Sequence, residues 1–419
     1  MRTPTESILG AALGLTIVGL SSFVLATATM GDNTSSSISN AHVKVKPQPI
    51  PAFVNQGIDF LAAAQYDNGG WGAGSHSRQD VIDPHAVQID PATTAFAGMA
   101  LLRSGNTLTE GKYSSNVRKA ADYLLGLVED IPENSTNITT ITGTQPQAKL
   151  GRNVDANMTV QFFTRLYRQT DDQAMKDRLH AAIDKCVKII ANGQNADGSF
   201  NAGGWAPVLQ SAMANNALEG AYNMGFSVDT VVLTRSRDYQ SGNVSSSGSV
   251  ATGGAAGISL YSIASTNRAA ATQASDAVVL IEKAKKEGKV KANAEVDEKT
   301  LREAGVSEEE AATMVRAYDQ NRQTTKMLKD ERVLQGFGNN GGEEFLSFMM
   351  TSESLVLQGG EDWDGWNKRM LDLLQKVQNQ NGSWSGHHCI TSPVFCTAAA
   401  ILTLTTDRDA EFLATRRTQ

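Results

Sequence analysis

A seven-residue pattern occurs three times in this chain: Gln, three residues, Gly, one residue, then Trp or Phe. The copies run from Gln65 to Trp71, from Gln194 to Phe200 and from Gln378 to Trp384. At average residue frequencies a chain of this length should match such a pattern on the order of 0.1 times. Three matches mark an internal repeat, and a repeat constrains the architecture before any single residue does. Each copy follows apolar residues at helical spacing: Ile58, Phe60 and Leu61, then Ile183, Ile189 and Ile190, then Met370, Leu373 and Leu374. Asn68, Asp197 or Asn381 stands just before the Gly. Asn/Asp-Gly is turn chemistry, because Gly takes positive φ at little cost and ends the helix.

A second kind of helix is expected downstream of these turns, built from small residues. Thr93–Leu102 and Thr397–Leu404 are the clearest cases, and Ser249–Ser262 is a third. Asp155–Leu166 and Ser211–Tyr222 fit the same description. Small residues let helices approach closely, which suits an inner ring. Longer amphipathic helices carrying Lys and Arg suit an outer ring facing water. The expectation is all-α, with five to six helix pairs of roughly 50–60 residues each. Residues 274–335, rich in Ala, Glu, Lys and Arg, read as a charged helical insertion with a solvated surface.

The N-terminus reads as an export signal. Arg2 precedes an apolar run from Ile8 to Ala26, and Ala26-Thr27-Ala28 has the small residues of a cleavage site. A run of about 19 residues also suffices to span a bilayer, so a cleaved signal and an uncleaved anchor both satisfy it. Residues 1–30 are assigned to this segment, 31–50 to a flexible tether and 51–410 to the helical body. The expected location is exported: periplasmic, cell-surface or membrane-anchored, with the membrane touched only through that segment. A net charge of −7 argues against a nucleic-acid partner.

The Gln-x-x-x-Gly-x-Trp turn after an apolar helix resembles the repeat of squalene–hopene cyclases and protein prenyltransferase β-subunits. That resemblance implies an α/α toroid, two concentric rings of helices, over roughly residues 50–410. It implies that Gln65 with Trp71, Gln194 with Phe200, and Gln378 with Trp384 tie each helix end to the neighbouring unit. This role is structural. The Asp-x-Asp-Asp acid of the cyclases is absent, and so is the Asp-rich metal-binding signature of ionising terpene synthases. Prenyltransferases hold zinc with Asp, Cys and His. Asp184 and Cys186 imitate part of that set, but they precede a repeat turn and so fall on an outer helix. No metal is assigned on this basis, and the cofactor is left unknown. Cys186 reads as a buried core thiol.

Candidate chemistry gathers where inner helices begin. His387, His388 and Cys389 follow the third repeat, with Cys396 close behind. In an exported chain Cys389 and Cys396 are expected to form a disulfide, with a metal site or two free thiols as alternatives. Asp90 before Pro91 has the form of a helix cap, and Glu343 and Glu344 precede the apolar stretch 345–350. Inner-helix starts converge in a toroid, so Asp90, Glu343, Glu344, His387 and His388 are expected to share one pocket. The leading expectation is a protein that binds a ligand, apolar or glycan, or a protein partner at that end. A glycan-directed hydrolase or lyase using the paired carboxylates is the alternative, and prenyl or terpenoid transfer or cyclisation the second. Whether the chain is an enzyme is left open.

Overall fold

The small-residue segments form helices buried nearly all round, and the amphipathic segments form helices that flank them. The computed structural model describes residues 38–40, 45–200, 203–338 and 341–417. The segment expected to be a signal or anchor, residues 1–30, lies outside the described residues. Among those described, no helix is long and apolar enough to cross a membrane.

Twelve helices of a dozen residues or more alternate in burial: α1 (Ala52–Ala63), α2 (Pro91–Arg103), α3 (Ser114–Asp130), α4 (Val154–Gln169), α5 (Gln173–Asn192), α6 (Pro207–Asn223), α7 (Thr230–Ser241), α8 (Ser259–Lys286), α9 (Glu308–Met327), α10 (Gly342–Gln358), α11 (Gly360–Lys376) and α12 (Pro393–Leu404). Every residue of α2 and α12 is buried. The flanking α3 instead buries one stripe, Val117, Ala120, Ala121, Leu124, Leu125 and Val128, at helical spacing. Contacts among the even-numbered helices close on themselves: α2 packs on α4, α4 on α6, α6 on α8, α8 on α10, α10 on α12, and α12 on α2. Each odd-numbered helix lies against this circuit. A short antiparallel pairing joins 38–40 to Thr415–Arg417.

The repeat turns are joints between successive units. Gln65 Nε2 donates to its own turn at Gly69 O (2.8 Å) and to Asn116 O of α3 (2.9 Å). Gln194 does the same with Gly198 O and Val232 O of α7. Gln378 reaches Gly382 O and Phe53 O of α1, which links the last unit to the first. The turn glycines have φ of +93°, +87° and +83°. A Cβ on any of them would lie within 3 Å of a carbonyl oxygen in the adjoining outer helix (Lys119, Arg235 or Gln56). Conformation and close approach therefore both require Gly. Trp71 and Trp384 each donate Nε1 to the carbonyl ten residues earlier, Leu61 O and Leu374 O, at 2.8 Å. The backbone N–H of Trp71, Phe200 and Trp384 reaches Thr94, Ser211 and Thr397, one in each following inner helix, at 2.9 Å.

Two expectations change here. Residues 249–258 are not helical apart from one short turn, and the helix starts at Ser259 and runs for 28 residues. Residues 274–335 supply the end of α8, the short helix Glu298–Glu303 and α9. The charged stretch thus provides the outer member of the fifth pair. Its small apolar cluster, Ala277, Ile281, Leu301, Ala311 and Met314, is separate from the main core.

A buried chain of charges crosses the circuit. In order it runs Arg165, Asp409, Arg103, Glu353, Arg268, Glu219 and Arg237, with successive contacts of 2.6–3.1 Å. Arg165 on α4 also lies 3.6 Å from Glu353 on α10, a helix three steps away around the circuit. The network thus joins side chains from α2, α4, α6, α8 and α10. Burial pushes the Glu219 carboxyl up, but Arg268 and Arg237 outweigh it and hold its pKa down to about 2.

Candidate functional site

The N-terminal ends of the even-numbered helices carry the other concentration of polar groups. Glu343 and Glu344 occupy the first turn of α10, and both are buried. Glu344 Oε1 accepts from Tyr261 Oη (2.6 Å), at the start of α8, and from the Phe337 amide (2.8 Å). Its Oε2 has no hydrogen-bond partner and stands 3.5 Å from His388 Nε2. Both ring nitrogens of His388 are likewise unpartnered. Burial lowers the His388 pKa, against the upward pull of Glu344. Phe337 and His387 set their rings edge-on to the His388 ring, at 4.8 and 4.6 Å. A side chain at Gly341 would strike Glu344 Oε2 and His388 at 2.6 Å, so Gly keeps this space open.

Glu343 Oε2 accepts from the Ile390 amide (3.3 Å). Burial, and then Glu344, push the Glu343 pKa up to about 7. Cys389 has φ of +60°, a left-handed conformation that a residue with a Cβ adopts at a cost of roughly 1–2 kcal/mol. Its carbonyl is held by Gln79 Nε2 at 2.8 Å. Burial and then Glu343 push its thiol up to about 11. Ligand atoms of Glu343, His388 and Cys389 all lie within 4.8 Å of one another.

The short helix Gln145–Leu150 completes the group. Gln145 Oε1 accepts from the amides of Thr391 and Ser392, while its Nε2 is unpartnered. Lys149 is buried, with its ammonium 4.3 Å over the Trp205 ring. It forms no ion pair among the described residues, and its charge acts on Glu343, His388 and Cys389. Trp205 and Phe337 are 63% and 62% exposed, and Lys149 covers one face of the Trp205 ring.

The structure brings together Glu343, Glu344, His387, His388 and Cys389. Asp90 belongs to a different group. It caps α2, accepting from the Thr93 amide and hydroxyl and from the Ala73 amide. Its charged neighbour is Asp155, which accepts from Gln147 and from the Ala92 amide. Cys389 and Cys396 are free thiols. The expected disulfide is not formed, because Cys389 turns to Glu343 while Cys396 Sγ donates to Ile390 O. Asp184 and Cys186 lie on α5, where Asp184 pairs with His180 and Cys186 is buried. Sequence reasoning missed Lys149, Gln145, Tyr261, Trp205 and Phe337. One signal was available, since Trp205 and Phe337 each stand a few residues ahead of an inner helix.

Burial, and then Asp155, raise the Asp90 pKa to about 7, and burial raises Asp155 to about 6. A carboxyl raised on folding contributes stability that is complete below its unfolded value and lost as pH rises through the folded one. Asp90→Asn is therefore expected to gain on the wild type by about 1–3 kcal/mol between roughly pH 4 and pH 7. Urea unfolding across that range measures this. A stability difference that does not change with pH would rule the assignment out.

No family model matches the chain, and no curated protein matches it in sequence. Among solved structures it is similar to a type II terpene cyclase from Scytonema, a variant in complex with its product, merosterolic acid A. The identity is 12%, the match covers 85% of this chain and 96% of that one, and the TM-score is 0.32. A likeness at that level bears on neither the site nor the reaction.

Proposed function

We propose that this chain is an exported α/α toroid of the squalene-cyclase and prenyltransferase kind that binds a polar ligand, of the glycan class, at the N-terminal mouth of its inner ring. The closed circuit of α2, α4, α6, α8, α10 and α12 supports the toroid, and the apolar run Ile8–Ala26 supports export. One observation carries the ligand reading. Glu344 Oε2, His388 Nδ1 and Nε2, and Gln145 Nε2 are buried polar atoms without partners, gathered at one mouth. Each such atom costs about 1–3 kcal/mol unless something completes it. Phe337 and the uncovered side of Trp205 offer flat apolar faces at that mouth, an arrangement suited to a sugar ring with polar edges. An isoprenoid chain needs an apolar centre, whereas the centre here holds Arg103, Arg165, Arg268, Glu353 and Asp409.

The test is calorimetric titration of residues 31–419, stripped with chelator, with neutral and uronic-acid oligosaccharides and with farnesyl diphosphate. An oligosaccharide is expected to bind, and Trp205→Ala to weaken it at least tenfold. Binding of the prenyl probe alone, or of no probe, would overturn the reading. The hydrolase or lyase alternative rests on Glu343, whose pKa near 7 suits a proton donor.

A further inference from the structure

We propose that Glu343, His388 and Cys389, with Glu344 as a fourth donor, bind a zinc-class divalent cation at the mouth of the inner ring. The inference rests on the mouth being a binding site and names one of its ligands. The donor set combines imidazole nitrogen, thiolate sulfur and carboxylate oxygen, the combination that zinc accepts. Tetrahedral donors about 2.0–2.3 Å from zinc stand roughly 3.3–3.8 Å from one another. The donor atoms of the three residues already lie within 4.8 Å of one another. Rotations of His388 and Cys389 close the remaining ångström, and no hydrogen bond of the His388 ring has to break, because both nitrogens are unpartnered.

A second observation points to the same ligand. Glu344 is fully buried, its Oε2 is unpartnered, and that oxygen stands 3.5 Å from His388 Nε2, within the tetrahedral range. Its other oxygen is held by Tyr261 and the Phe337 amide, which orients the free one. The backbone adds a third. Cys389 sits in a left-handed conformation, its carbonyl bound by Gln79, which directs the thiol towards Glu343. Binding displaces the thiol proton to solvent and leaves a thiolate on the metal. These ligands are not the Asp184 and Cys186 of the family comparison, and they come from two inner-helix entries, those of α10 and α12.

The experiment titrates chelator-stripped protein with zinc chloride and with cobalt chloride, reading bound metal by mass spectrometry and cobalt by absorption. One zinc per chain is expected, together with a thiolate-to-cobalt charge-transfer band in the near ultraviolet. Cys389→Ser should abolish the band, and His388→Ala should weaken zinc binding at least 100-fold. Cys186→Ala, on the outer ring, should change neither. The metal-free melting temperature of Cys389→Ser should match the wild type, which separates lost ligation from lost folding. No bound metal, or binding unaffected by Cys389→Ser and His388→Ala, would overturn the proposal. The oligosaccharide titration of stripped protein reads the glycan proposal independently, so the two can fail separately.

Discussion

Glu353→Ala is expected to lower the unfolding free energy by about 3–5 kcal/mol. Glu353 is fully buried and bridges Arg103 and Arg268, so its loss leaves two guanidinium groups in the interior short of a counter-charge. Breaking one partner of a buried pair is far more damaging than replacing the whole set with apolar residues, because the uncompensated charge stays desolvated. The effect should persist at high salt, since screening reaches exposed charges and not these. Urea unfolding with and without added salt measures both features. A loss below about 1 kcal/mol, the scale of a surface pair, would show that the network is not load-carrying.

The second large effect falls on the third repeat. Trp384→Ala is expected to cost about 3–5 kcal/mol, the usual range for a fully buried Trp. Its Nε1 bonds to Leu374 O of α11, its amide to Thr397 of α12, and its ring lies edge-on to Phe53 of α1. The substitution therefore opens the joint where the last unit meets the first. Trp384→Phe should be much milder, about 1 kcal/mol for the lost hydrogen bond plus a small packing term, because Phe200 fills the equivalent slot in the second copy. Equal losses in the two variants would show that the ring volume is not what matters. Limited proteolysis should cut the Ala variant first near α1 and α11.

Much of the framework was legible in the residues. Gln65, Gly69 and Trp71 could be read as a repeated helix-ending turn because Asn-Gly supplies positive φ at little cost, and the resemblance to the cyclase and prenyltransferase repeat implied that the turn is a joint. The small-residue stretches 93–102 and 397–404 could be read as closely packed helices because side-chain volume limits how near helices approach. Asp90 before Pro91 could be read as a cap from local stereochemistry alone. The start of α8 could not, since residues 249–262 are small throughout and Gly257 at φ +84° marks a break that composition hides. The candidate site was half legible. Glu343, Glu344, His387, His388 and Cys389 carry their chemistry in plain view. Tyr261 lies 83 residues from Glu344, and Gln145 lies 246 from Thr391, separations over which no periodicity operates.

By itself the sequence determined the helical class, the repeated turns and the side chains available where the buried helices begin. These depend on local backbone preference and on spacing within a few turns, which a chain carries wherever it goes. Tertiary structure alone decided which charges turn inward. Arg103 and Asp409 are 306 residues apart and meet at 2.6 Å, and Lys149 rests on Trp205 and not on an acid. Helical spacing says which residues share a face, but only the packing of the helices on one another says what that face meets. The same packing took Asp90 to Asp155 and left His388 beside the open oxygen of Glu344.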